Sequence, residues 1–360
     1  MIAFDLLKQT TWLDLHQMMQ KRNTELQDIS FARISLEKSN RQQRLRKTFS
    51  KRIVNKIFIT NSHFKNIHIE PSLGLTEERL GLKEILEEGT ASRIPELDGS
   101  IVLISNADID SVERLNSFSN FYEIHSDTIF IGWDTDNHHT LHISMAFATL
   151  VDFYIQSQLE HFYDLSRINP LHTFLLIGCI NIKREYAYNL LPKALSAQRS
   201  NEVQGLFANH NTFPWRNSVI NALSNSHPHI GFFSDSRGAT SNDKYPDRLI
   251  DYKVHWIAPV LNDVSGRVDD VLITGGIPIV PESLRFHPAL IDIHPENIVY
   301  YNLNDIIDTE HIISCAIEKY DKCGKKGILS RFEYSIARHG DFSLSKIIKL
   351  ASSYFKFNLE

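Results

Sequence analysis

Cysteine is scarce. The chain of 360 residues has only Cys179, Cys315 and Cys323, an odd number without metal-ligand spacing, which argues against a disulfide framework and a structural zinc site. Long apolar runs are missing as well, since no stretch approaches the ~20 residues that cross a bilayer. The first residues meet Asp5, Lys8 and other polar groups too early for a signal peptide. A reducing cytoplasm is the expected setting. Charge of one sign does not dominate either: 38 Lys and Arg against 43 Asp and Glu give a formal charge of −5, so no nucleic-acid partner is expected. Without a Gly-x-Gly-x-x-Gly fingerprint, a dinucleotide oxidoreductase is disfavoured. No internal repeat or low-complexity tract is visible.

What is present describes an ordinary globular enzyme. Hydrophobic residues make up 42% and charged residues 22%, enough to bury real cores, and the length predicts two domains of comparable size. One segment departs from the even charge. From Lys38 to Lys56 cations are dense and acids almost absent, which reads either as a solvated helix face or as a peripheral contact with anionic lipid or a phosphorylated acceptor.

After a polar, helical first 50 residues, strand and helix alternate. The patterns predict strands at 53–60, 100–105, 121–124 and 128–133, and helices at 76–88, 108–117 and 141–159. Pro170 marks a linker. Beyond it, strands are expected at 172–178, 203–208, 229–233, 252–259, 277–280 and 298–301, with helices at 214–224, 267–274 and from 306 onward. Such alternation implies α/β units with parallel sheets, whose ligand sites collect at the carboxyl ends of strands.

The most specific stretch runs from Tyr252 to Val280: a strand, a polar loop with Ser265-Gly266-Arg267, a helix carrying Asp269 and Asp270, and then Gly275-Gly276-Ile277-Pro278-Ile279-Val280. A helix entered through Ser265 and Gly266 presents N–H groups that suit a diphosphate, and Arg267 adds a charge-assisted contact. Asp270 can accept from ribose hydroxyls, and Gly275 and Gly276 let the backbone approach a nucleotide. A plain helix-turn-strand with solvated acids is the alternative reading.

This segment resembles the donor-binding region of exostosin-like and related glycosyltransferases with two Rossmann-like domains, and the likeness is strongest over residues 200–320. The resemblance implies an α/β fold of GT-B type, with two domains facing across a cleft. It would place an acceptor-side domain at 1–168, a nucleotide-sugar domain at 169–330 and helices at 331–360 that cross back to the first domain. It also implies a ribose role for Asp270 and a phosphate role for Arg216, which sits in the helix that follows a strand end. Asp235 and Arg237, after another strand, could line the base or sugar pocket. Lys253 either faces the donor or buries its stem with a solvated head.

For catalysis, Asp134, Asp136, His138 and His139 follow an apolar strand, where an acid or imidazole can deprotonate an acceptor hydroxyl. An Asx-rich turn is the plainer reading. The Asp-x-Asp pattern also admits a divalent cation, but the distant donor segment supplies its own cations, so no metal or other cofactor is expected. The implied activity is transfer of a sugar from a nucleotide-sugar donor to a hydroxyl of a glycan or lipid-linked glycan. The setting expected is bacterial surface polysaccharide (O-antigen or capsule), in the cytoplasm or peripheral at the inner membrane. The alternatives are a non-catalytic nucleotide- or carbohydrate-binding protein of the same fold and a nucleotide-sugar epimerase.

Overall fold

The computed structural model describes residues 31–87, 92–135, 141–157, 169–209, 214–232, 245–260, 263–302 and 304–359. They fall into two compact units, residues 31–180 with 340–359 and residues 181–339. In chain order the first unit begins with α1 (Phe31–Phe49), β1 (Ile53–Val54), β2 (Lys56–Thr60), β3 (Thr76–Leu80), α2 (Leu82–Glu87) and β4 (Ile101–Ser105). It continues with α3 (Val112–Ile124), β5 (Ile129–Asp134), α4 (Leu141–Leu150), β6 (Phe153–Gln156) and β7 (His172–Phe174). The second unit holds α5 (Arg184–Ser196), β8 (Ser200–Phe207), α6 (Pro214–Ser224), β9 (Ile230–Phe232), α7 (Tyr245–Ile250) and β10 (Tyr252–Trp256). Then come α8 (Arg267–Ile273), β11 (Ile277–Pro281), β12 (Val299–Tyr301) and α9 (Thr309–Ile336). Finally, α10 (Gly340–Phe355) and β13 (Asn358–Leu359) belong to the first unit.

The chain is α/β, and both main sheets are parallel throughout. Their orders are β3-β2-β4-β5-β6-β7 and β12-β11-β10-β8-β9. Counted within each unit, both read second-first-third-fourth-fifth, with a sixth strand added in the first. This is a doubly wound order, and it reverses between β2 and β4 and again between β8 and β10, where helices leave opposite faces and a crevice opens at the strand ends.

In the first sheet β4 and β5 are buried along their whole length, as expected when helices cover both faces. Ile101, Leu103, Ile131 and Ile155 meet Leu45 and Phe49 of α1 and Leu344, Ile347 and Phe355 of α10. Val102, Ile104, Phe130 and Tyr154 meet Phe118, Phe121 and Phe147 of α3 and α4. Gly132 sits where α4 comes closest, and a Cβ there would lie 2.8 Å from the Phe147 ring.

The structure corrects several sequence expectations. The basic run is not one solvated face: Lys38, Gln42, Leu45 and Phe49 are buried at the spacing of a helix stripe, while Arg44, Arg46, Lys47, Lys51 and Arg52 are exposed. Residues 76–88 split into edge strand β3 and helix α2. Pairing of β3 with β2 overrides the helical propensity of the Glu-rich run, and Arg79 ties it down by donating to the carbonyls of Phe64 and Ile67. Phe121–Ile124 is the last turn of α3 rather than a strand, because Phe118, Phe121 and Tyr122 share its buried face. The helix expected at 141–159 stops at Leu150, and β6 follows.

Candidate functional site

In the second unit the carboxyl ends of β8 and β10 flank the point where the strand order reverses. Helix α6 opens with Pro214, whose missing N–H costs nothing in a first turn. Two residues on, Arg216 turns back to the sheet. Its Nε donates to the Ala258 carbonyl at 2.8 Å and its Nη1 to the Ala208 carbonyl at 2.8 Å, joining the ends of the two strands. Arg267, at the start of α8, donates through Nη1 to the Leu206 carbonyl. Both guanidinium groups lie over the Phe207 ring, at 5.2 and 5.1 Å from its centroid. Arg216 and Arg267, far apart in sequence, therefore converge.

The pair is electrostatically unbalanced. Arg216 is only 7% exposed, and its pKa is lowered to about 10, mainly by burial and then by the like charge of Arg267, with Asp263 and Tyr301 opposing. Neither arginine forms an ion pair with a carboxylate among the described residues. A guanidinium carries five N–H donors in a planar fork, so strand-end carbonyls use only part of this capacity.

Other residues expected to bind a donor are placed elsewhere. Ser265 folds onto its own helix: the Val268 N–H donates to the Ser265 carbonyl at 2.9 Å and the Arg267 N–H to its hydroxyl at 3.4 Å. Gly266 precedes a helix of only seven residues, so little free N–H capacity or dipole remains there. Asp270 is fully buried and accepts from Asn181 Nδ2 at 2.7 Å and the Tyr245 hydroxyl at 2.9 Å. Both bonds point into the second unit.

Gly275, Gly276 and Lys253 lie at the amino edge of the sheet, opposite Arg267. Gly275 ends α8 at φ 84°, and a Cβ there would meet Ile328 at 2.7 Å and Arg199 at 3.1 Å. Its left-handed backbone serves helix termination, with Arg199 and Arg331 donating to the carbonyls of Thr274 and Gly275. A Cβ on Gly276 would lie 2.8 Å from the His255 ring. Lys253 pairs with Asp321 at 2.7 Å. Asp235 and Arg237 lie outside the described residues.

The corresponding point of the first unit lies at the ends of β2, β4 and β5. Asp108, buried just after β4, accepts from the hydroxyls of Thr60 and Ser62. Burial raises its pKa, against those two hydrogen bonds and the charges of Lys83 and His63. His63 Nδ1 bonds the Thr135 hydroxyl, and the Thr135 N–H donates to Asn106 Oδ1 at 3.1 Å. Asp134 is 1% exposed and accepts from the buried Tyr154 hydroxyl at 2.5 Å, an interior duty. The Tyr154 pKa is raised well above its ordinary value by burial and by Asp134. Asp136, His138 and His139 lie outside the described residues.

Sequence reading missed Thr60, Ser62, His63 and Asp108. The available signal was polar residues directly after two apolar strands. Among the described residues, no group of three or more His, Cys, Asp or Glu could hold a metal ion, and no helix is long and apolar enough to cross a membrane.

No family model and no curated protein matches the chain. Among solved structures it is similar to Anabaena HepE in complex with UDP-glucose, at 12% identity over 83% of this chain and 99% of the other, with a TM-score of 0.46. It is also similar to the GtfA/B complex, at 10% identity over 76% of this chain and 60% of the other, with a TM-score of 0.41. Overlaps this loose carry no argument about what this chain binds or does.

Proposed function

We propose that the chain is a glycosyltransferase of the two-Rossmann GT-B type, with the nucleotide-sugar donor held at the β8/β10 crevice. The observation that carries this reading is the convergence of Arg216 and Arg267 on Phe207 where the second sheet reverses its order. Two guanidinium groups without a bonded carboxylate among the described residues suit a diphosphate, whose charge grows as the glycosidic bond breaks and whose departure they would stabilise. Asp263 lies near enough to temper that field.

The acceptor hydroxyl, on a glycan or lipid-linked glycan of a bacterial surface polysaccharide, needs a base. We assign this role to His63, an imidazole at the strand ends of the first unit whose Nδ1 is anchored by Thr135 and whose residue type titrates near working pH. Asp136, His138 and His139 are the competing candidates.

A thermal-shift series with UDP-, GDP-, dTDP- and CMP-sugars tests the donor site, since a ligand at ~100 times its dissociation constant stabilises by ~2.7 kcal/mol. One nucleotide class is expected to raise Tm, and Arg267→Ala to remove the shift from its diphosphate while sparing the nucleoside. Slow release of free nucleotide from the donor separates an enzyme from a binding protein. If none of the sugars shifts Tm, or Arg267→Ala leaves the shift intact, the donor site is wrong.

A further inference from the structure

The amino edge of the first sheet, opposite the strand ends described above, has its own cavity of about 380 Å³ between α1, α3 and α4. Lys38, Arg41 and Arg44 line it from α1, and Tyr122 and Glu123 from α3. Lys38 is 5% exposed, with Nζ 2.7 Å from the Tyr122 hydroxyl and 4.6 Å from the centroid of its ring. The nearby acid, Asp152, is already engaged. Its Oδ1 accepts from the Tyr122 hydroxyl and from Arg41 Nε, each at 2.7 Å, and its Oδ2 accepts from the Phe130 N–H at 2.9 Å. No carboxylate of a described residue forms an ion pair with Lys38. Glu37 and Glu123 are exposed, and so is Arg44.

We propose that Lys38 is an acylation site, whose amine reacts with small acyl phosphates drawn into this cavity by the neighbouring Arg44. The lone pair on Nζ attacks the acyl carbon and a C–N bond forms. The C–O bond to phosphate then breaks, phosphate leaves with the electron pair, and the surplus Nζ proton passes to water or to the departing phosphate. The acyl phosphate is the only co-reactant, and no oxidant is needed. Arg41 is largely offset by Asp152, so Arg44 is the guanidinium available to the anionic reagent. The product amide is neutral, which suits a place where burial penalises charge, and its N–H can still donate to Tyr122.

The state of the amine agrees with the geometry. Burial lowers the Lys38 pKa to about 7, Arg41 pushes the same way and Asp152 opposes. Near neutral pH about half the amine carries a lone pair, against roughly one in a few thousand for an ordinary lysine.

The test uses the full chain with acetyl phosphate at pH 7, scoring each lysine by peptide mass spectrometry. Lys38 is expected to be acetylated at least ~10-fold faster than the exposed Lys47 and Lys51, and to lose that advantage in urea. Its rate should level off above about pH 7, while theirs keep climbing. Arg44→Gln changes an exposed side chain, so the fold should survive. It should slow acetyl phosphate at Lys38 several-fold yet leave a neutral acetyl ester unaffected. Lys38 reacting no faster than Lys47 overturns the proposal, as does Arg44→Gln slowing both reagents equally.

Discussion

The two units share a strand order yet differ in charge at the point where it reverses. At the β8/β10 crevice two arginines meet without a bonded carboxylate among the described residues. At the ends of β2 and β4 a buried acid, Asp108, is wrapped in hydroxyls beside His63. Topology supplies a crevice in each case, whereas side chains decide its ligand: one is suited to an anion, the other to handling a proton. Elsewhere the units bury titratable groups of opposite sign. Lys38 in the first is pushed down to about 7 and Asp269 in the second is pushed up to about 6, both mainly by burial.

The largest expected effect tests the division of labour directly. Under the proposed activity, His63→Ala should lower turnover by ~10²–10⁴-fold with donor affinity nearly unchanged, read from steady-state rates beside donor titrations. Full turnover in that variant, with loss in His138→Ala or His139→Ala, would move the base out of the Asp108 network. Next, Arg267→Ala should weaken nucleoside diphosphate by ~10–150-fold, as losing a charge-assisted contact of ~1.5–3 kcal/mol requires. Calorimetry should show nucleoside binding unchanged. A similar loss for His63→Ala would erase the distinction between the two crevices.

The buried groups give opposite pH signatures. Lys38 has a folded pKa below its unfolded value, so between about 7 and 10 the unfolded chain holds a proton that the folded one lacks, and stability rises with pH. Lys38→Met should remove that rise. Relative to the parent, the variant should gain ~4 kcal/mol more at pH 6 than at pH 10 by urea unfolding, on the order that such a shift implies. Equal gains at both pH values would mean that Lys38 is charged in the fold. Asp269 behaves the other way: its folded pKa lies above the unfolded one, so the stability it contributes is present below about pH 4 and lost as pH rises through about 6. Asp269→Asn should flatten this decline by ~1 kcal/mol or more. An unchanged profile would show that Arg338 and His339 hold the carboxylate charged throughout.

Much of the architecture could be read from apolar runs. The segments at β4 and β5 are dominated by Ile, Val, Leu and aromatic residues because helices cover both faces of the first sheet, and Pro214 announced α6. Edge strand β3 escaped notice because Thr76–Leu80 has no apolar alternation and owes its form to pairing with β2. The candidate site was legible in part. Arg216 and Arg267 stood out as cations in first turns, where a cation is disfavoured unless an anion comes near.

By itself the sequence determined the alternation of strands and helices, the parallel sheets, and the strand-end positions of Arg216, Arg267 and Asp134, since these depend on local periodicity and punctuation. Tertiary structure decided which of those residues share a site. Gly275 and Gly276 follow Arg267 closely in sequence, yet α8 carries the chain from one edge of the sheet to the other before they occur. Asp134 and His63 both follow strands, but only packing turns one carboxylate inward to Tyr154 and sets the other residue's imidazole beside Thr135. Whether Lys38 is a solvated cation or a buried amine that readily loses its proton likewise depends on α3 and α4 closing over it, because desolvation acts through neighbours that the local sequence does not name.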